Sequence, residues 1–270
     1  MAQGRTALGA DLKQFAARAA PSSAGAYGPL STLFYDAAYP RAAEAEIAWY
    51  RTRLPRAAGP VLEAMAGSGR ILLPLTEDGF NVHGVDQSEP MLASCAARLK
   101  AVGRDARLFR QNLALLNLPA RYGAAFIAAG SFQLLTAREA ATDALTCLRA
   151  HLVGPSLLLL DLFVPDAAQH PPGAPVVEVR TVTLPDASQV VHRGESTTDP
   201  ERRRMRYVSR YERRVGGRIV AREDETVDVT WYAEDEIVAL LRAAGYGEIR
   251  IEPPAWPREN GRHFAVSATA

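Results

Sequence analysis

Between residues 61 and 163, apolar positions come in short continuous runs separated by stretches with helical spacing. Val61–Met65 reads as a strand, followed by a Gly-rich turn and a helix over Ile71–Glu77. Asn81–Val85 and Glu89–Val102 repeat the strand–helix pair, and Ala106–Arg110 and Ala124–Ala128 are further strand candidates. Ala137–His151 has helical spacing, while Ser156–Phe163 is a near-continuous apolar run of the kind buried on both faces of a sheet. Alternating strands and helices predict an α/β fold: a doubly wound, Rossmann-like, mainly parallel sheet with helices on both sides. Upstream, Glu44–Arg53 reads as a helix ended by Pro55 and Gly59-Pro60.

After Pro165 the period changes to two. Met205, Tyr207, Ser209 and Tyr211 fall on one face of a strand, and Gly216-Gly217 is a hairpin signal. A plain two-residue turn there predicts Arg210 opposite Glu223 and Tyr211 opposite Arg222. Ala233–Ala244 reads as a helix opened by Glu234, Asp235 and Glu236 and closed by Gly245, with final strands near Glu248–Ile251 and Phe264–Ser267. The expected organisation is a mobile arm over 1–30, with a short helix over Asp11–Ala20, and a cofactor-binding core over 31–165. An antiparallel β insertion forming a lid over 166–232 follows, and 233–270 completes the core sheet.

Composition narrows the function classes. Apolar residues make up 48% of the chain, so it has the means to bury a core. A formal net charge of +1 supplies no bulk field to recruit nucleic acid or an anionic membrane surface. The Arg-rich stretch 202–218 alternates and faces Glu223 and Glu225, as a solvated hairpin with cross-strand pairs does. Leu152–Val164 is too short an apolar stretch to cross a bilayer, and the N-terminus has no secretory pattern. Cys95 and Cys147 lie in helical patterns as reduced thiols, and the five His are too scattered for a metal site, so a cytoplasmic protein without a metal is expected.

The chemistry concentrates in strand, Gly turn, helix, strand, acid: Val61-Leu62-Glu63-Ala64-Met65-Ala66-Gly67-Ser68-Gly69-Arg70, then Gly84-Val85-Asp86. Glycines at 67 and 69 let the backbone approach a ligand at the carboxyl end of the first strand, and an acid ending the second strand can accept both hydroxyls of a ribose. A dinucleotide fingerprint needs a third Gly where this chain has Leu72, which disfavours a pyrophosphate cradle and a nucleotide-cofactor oxidoreductase. A nucleoside without phosphates needs only the two-Gly turn and the acid.

At these residues the chain resembles the class I S-adenosylmethionine-dependent methyltransferases. Glu63-Ala-Met-Ala-Gly-Ser-Gly is similar to the family's first motif, and Val85–Leu92 to its second-strand ending and following helix. Gln111-Asn112-Leu113 sits where an acid-containing segment flanks adenine, and Ala128–Gln133 looks like the loop below the methyl donor. Phe34-Tyr35-Asp36-Ala37-Ala38-Tyr39 resembles the Tyr-Asp-x-x-Tyr segment of small-molecule N-methyltransferases, including glycine and amino-sugar types. The resemblance implies that Glu63 and the backbone over Ala66, Gly67 and Gly69, with Arg70 or Tyr35, hold the methionine end of S-adenosylmethionine. It implies Asp86, beside Gln87, for the ribose, Met91, Asn112 and Leu113 for adenine, and Ala129–Phe132 at the sulfonium. The chain departs from the family at Met65, Asn112 and Leu134, where relatives have Gly, Asp and, in amino-sugar types, His. Those departures support a rival reading, a binding or scaffold module without turnover. Tyr35, His192 and His263 are the candidates for a catalytic role. With no obvious base or metal, a small-molecule nitrogen acceptor is favoured over oxygen or carbon. Relatives with such an insertion sometimes dimerise through it, which makes a homodimer the partner to consider.

Overall fold

The computed structural model describes residues 27–56, 59–255 and 261–270. Of the expected arm, residues 1–26, and with them the helix expected over Asp11–Ala20, lie outside the described residues. Residues 27–30 are described and are docked, as detailed below.

Two layers of helices enclose a seven-stranded sheet. In chain order the elements are α1 (Pro29–Ala38), α2 (Glu44–Arg53), β1 (Val61–Ala64), α3 (Leu72–Glu77), β2 (Val82–Asp86), α4 (Glu89–Ala101), β3 (Leu108–Arg110), β4 (Tyr122–Ile127), α5 (Arg138–His151) and β5 (Leu152–Pro165). There follow β6 (Val176–Thr183), β7 (Gln189–Asp199), β8 (Arg204–Val215), β9 (Arg218–Thr230), α6 (Glu234–Ala243), β10 (Gly247–Glu252) and β11 (Gly261–Thr269). The main sheet runs β10-β11-β5-β4-β1-β2-β3. Strands β1 to β5 run parallel to one another, and β11 is antiparallel to β5 and β10.

Every residue of β1 and β4 is buried, the pattern of central strands covered on both faces. On one face, Ile47 and Tyr50 of α2, Leu72 and Leu75 of α3, and Cys95 and Leu99 of α4 pack with Phe126 and Leu159. On the other, Leu145 and Leu148 of α5 and Ile237, Leu240 and Leu241 of α6 pack with Ile127, Leu158 and Leu160. Strand order reverses direction between β1 and β4. In open α/β sheets, the crevice beyond the carboxyl ends at such a switch point is where ligands bind.

The stretch 176–230 folds into a separate four-stranded meander, β6-β7-β8-β9. Its inner face packs Val190 and Tyr211 against Leu30 and Phe34 of α1, and Met205 and Val229 join Trp231 at its root. The β8–β9 hairpin corrects the predicted register. Arg210 faces Asp224, Tyr211 faces Glu223, and Glu212 faces Arg222, one residue away from the expected pairing. The turn itself holds, with Val215 opposite Arg218. The register then shifts between Arg213 and Arg214, where Val220 is the extra residue that a β-bulge admits. Cations still pair with acids across the hairpin, Arg206 with Asp228, Arg210 with Asp224 and Arg222 with Glu212, but the expected acids Glu223 and Glu225 face Tyr211 and Ser209 instead.

Candidate functional site

The turn after β1 is the first wall of a cleft at the switch point. Met65 leaves the strand with φ of 60°, a left-handed value that a side chain adopts only under constraint, and Gly67 and Gly69 follow at 54° and 79°. The two glycines divide their labour. Gly67 lines the cleft and donates its N–H to Asp86 Oδ2 at 2.9 Å. Gly69 does not line it; a Cβ there would fall 2.6 Å from Cys95 Sγ, so this glycine lets α4 approach the turn.

Asp86, at the carboxyl end of β2, also accepts the Ser88 N–H at 2.8 Å through Oδ1. Burial pushes its pKa up while these backbone donors pull it down. Each oxygen keeps a second lone pair, so the carboxylate is fixed in place yet still able to accept two hydroxyls. Gln87 and Met91 line the cleft beside it. On the far side, Asn112 Oδ1 accepts the Ala114 N–H at 2.9 Å and caps the short 3-10 turn Leu113–Leu115. Its amide nitrogen makes no hydrogen bond among the described residues, and with Leu113 it borders the same space.

The other end of the cleft holds buried charge. Glu63, 3% exposed, has its pKa pushed up to about 8 by burial, against the pull of Arg70. Its Oε2 has no hydrogen-bond partner among the described residues, the mark of an acceptor awaiting a donor. Arg70 reaches Glu46 of α2 with both guanidinium arms, each at 2.7 Å. Burial opposes its charge, but the Glu46 hydrogen bonds hold its pKa above the ordinary value. Tyr35 lies beside Arg70; burial raises its pKa and the arginine pulls it down.

The third wall is the loop after β4, where Ala129 and Gly130 take φ of 55° and 73°. Ala128, Ala129, Ser131 and Leu134 border the cleft. Behind them Gln133, fully buried, accepts the Phe163 N–H at 2.8 Å and donates to the Phe163 and Thr230 carbonyls. That side chain ties the loop to β5 and to the root of the antiparallel sheet. Phe132 lies in the core against Tyr232, with ring centroids 5.9 Å apart, and supports the loop without bordering the cleft.

Sequence reasoning missed Tyr27. It lines the cleft beside Tyr35, with ring centroids 6.4 Å apart. Its N–H donates to Glu225 of β9 at 3.0 Å, and its carbonyl accepts Ser88 Oγ at 2.7 Å. Next to it, Glu223 accepts the Leu30 and Ser31 N–H groups and so caps α1 from the antiparallel sheet. A Cβ on Gly28 would meet that carboxylate at 2.7 Å, so a larger residue there would push the Glu223 cap aside. The available signal was an aromatic residue before Gly-Pro at a helix start.

The two candidate histidines are not among the lining residues. His192, on β7, stacks on Tyr211 at 4.7 Å and bonds Ser209 Oγ at 3.0 Å, with burial lowering its pKa. His263, on β11, stacks on Phe163 at 5.9 Å. Among the described residues no group of three or more His, Cys, Asp or Glu could hold a metal ion. No helix among them is long and apolar enough to cross a membrane.

The cleft is partly open to solvent. It offers an acid at a strand end for vicinal hydroxyls, a flat apolar and amide site beside it, and an arginine with a buried, unpartnered carboxyl at its other end. This set suits a nucleoside that carries a zwitterionic tail.

Comparison with known proteins agrees. Residues 61–153 match the model of a family described as a methyltransferase domain. No curated protein matches the chain in sequence. Among solved structures, the fold is similar to an S-adenosylmethionine-dependent methyltransferase from Clostridium acetobutylicum ATCC 824, with a TM-score of 0.71 at 13% identity over 88% of this chain and 96% of that one. The sugar N-methyltransferase KedS8 from Streptoalloteichus sp. ATCC 53650 gives 0.70 at 20% identity over 90% and 94%. CalS10, an amino pentose methyltransferase from Micromonospora echinaspora solved with S-adenosylmethionine bound, gives 0.63 at 21% identity over 87% and 96%. The chain thus carries a match to a methyltransferase domain over residues 61–153, on a Rossmann-like fold.

Proposed function

We propose that this methyltransferase transfers the methyl group of S-adenosylmethionine to a nitrogen of a small-molecule acceptor. The observation that carries the choice of nitrogen is the absence of a base. Among the described residues lining the cleft there is no His, Lys or Cys. Its two phenols, Tyr27 and Tyr35, are both pushed above the ordinary tyrosine range by burial. Its two acids stand at the places assigned to the cofactor. A hydroxyl acceptor needs a base or metal to remove its proton, whereas a neutral amine brings its own lone pair.

In this reading Asp86 accepts the ribose hydroxyls and Asn112 meets the adenine edge with its free amide nitrogen, while Met91 and Leu113 pack on the base. Glu63 Oε2 accepts the α-ammonium, and Arg70 with Tyr35 receives the α-carboxylate. The bound cofactor supplies an electrophilic sulfonium methyl, which needs alignment and exclusion of water rather than covalent help. Ala128, Ala129 and Ser131 set the floor for that alignment, and Tyr27, Tyr35 and the antiparallel sheet keep water out. KedS8 and CalS10, which act on a sugar nitrogen and an amino pentose by name, support an amine-bearing acceptor here.

The test is calorimetric titration with S-adenosylmethionine and S-adenosylhomocysteine, followed by radiolabelled methyl transfer to matched amine and hydroxyl acceptors. Micromolar cofactor binding with transfer to amines alone is expected. Transfer to hydroxyls, or binding with no transfer to any acceptor, would sink the proposal.

A further inference from the structure

We propose that Glu46 is a positioning residue for the cofactor: it holds the Arg70 guanidinium in the orientation that receives the α-carboxylate. This rests on reading the charged end of the cleft as the seat of the amino-acid tail.

Glu46 lies on α2, outside the cleft lining and 1% exposed. Its two oxygens take one hydrogen from each terminal arm of Arg70, both at 2.7 Å. A guanidinium has five donors in a rigid fork, so three remain for a ligand, and the bidentate grip fixes the plane in which they lie. Arg70 is the sole cation among the described residues lining the cleft. Tyr35 lines the cleft beside it, with a hydroxyl proton of its own to donate. A carboxylate placed there finds guanidinium and phenol donors together. An arginine left alone in this position, with its side chain 13% exposed, bears the full cost of desolvation and is free to swing.

A merely structural ion pair, tying α2 to the turn after β1, makes a different prediction, and two ligands separate the two. S-adenosylhomocysteine carries the amino-acid tail; 5′-methylthioadenosine shares its adenosine and thioether but lacks that tail. In Glu46→Gln one oxygen becomes a donor facing a donor. Its affinity for S-adenosylhomocysteine is expected to fall about tenfold with the bidentate grip lost, and its affinity for 5′-methylthioadenosine to stay within twofold of wild type.

The experiment is titration of both ligands into the full chain, wild type and Glu46→Gln, with melting curves alongside. Should Glu46→Gln fail to fold, Glu46→Asp keeps the charge but withdraws it by one methylene and carries the same comparison. An equal loss for both ligands, no loss for either, or failure of both variants to fold would assign Glu46 to the scaffold and overturn the proposal. Wild-type protein that binds neither ligand would remove the cofactor reading of the cleft as well, an outcome distinct from loss of the selectivity alone.

Discussion

The cofactor half of this protein and its antiparallel sheet use charge in opposite ways. Around the cleft, Glu46, Asp86 and Arg70 are buried or nearly so, and each is held by defined donors or acceptors. On the outer face of the β6–β9 sheet, charges pair in solvent: Arg210 and Asp224 expose 57% and 64% of their side chains. Buried charge restricts which residue can stand at a position, because an unmatched group is costly; exposed pairs contribute little and exchange freely. The cleft is therefore built from positions that tolerate few residues, and the sheet from positions that tolerate many.

That contrast can be broken or sharpened by mutation. The largest effect is expected at Asp86: Asp86→Ala should weaken S-adenosylmethionine binding by about 100-fold or more, the loss of two hydrogen bonds to a charged group, read by calorimetry. Next comes Glu63. The folded protein keeps the Glu63 proton up to about pH 8, whereas an unburied glutamate gives it up near 4.5. The folded state thus binds more protons between those values, and stability of the ligand-free protein falls as pH rises through that window. Glu63→Gln should remove a fall on the order of 3 kcal/mol between pH 5 and 8, seen as a flattened profile of denaturant midpoints. Third, Gly69→Ala sets a Cβ against Cys95 at a positive φ and should cost about 2 kcal/mol, measured by urea unfolding. Smallest is Arg210→Ala on the outer sheet face, expected to change stability by less than about 0.5 kcal/mol. A larger loss there would erase the distinction between the two regions.

The same contrast explains what could be read from the sequence. The strand–helix rhythm from Val61 to Phe163 and the pairing of a glycine turn with Asp86 were legible because backbone geometry dictates both. The hairpin register was not. Gly216-Gly217 fixes pairing only as far as the first irregularity, and Val220, 58% exposed, carries no inward or outward preference to betray the bulge. Gly69 and Phe132 were read as ligand contacts because motif position cannot tell a residue that faces the cleft from one that braces it. Glu46 was hidden in a helix of mostly polar residues, although its place one turn before the buried Tyr50 puts it on the inward face. Tyr27 belongs to a segment with no periodicity, fixed by acids some two hundred residues away.

Tyr27 also makes one stretch of main chain common property of both regions. Its N–H is held by Glu225 of the antiparallel sheet, and its carbonyl by Ser88, which follows the Asp86 loop. Whatever shifts the sheet by occupying the space beneath it pulls on the same peptide that borders the adenosine site. Free-energy linkage is reciprocal, so an acceptor that tightens this tether must raise cofactor affinity by the factor by which the cofactor raises its own. The two substrates of the reaction would then bind as a cooperative pair, with Tyr27 as one of the links between their seats.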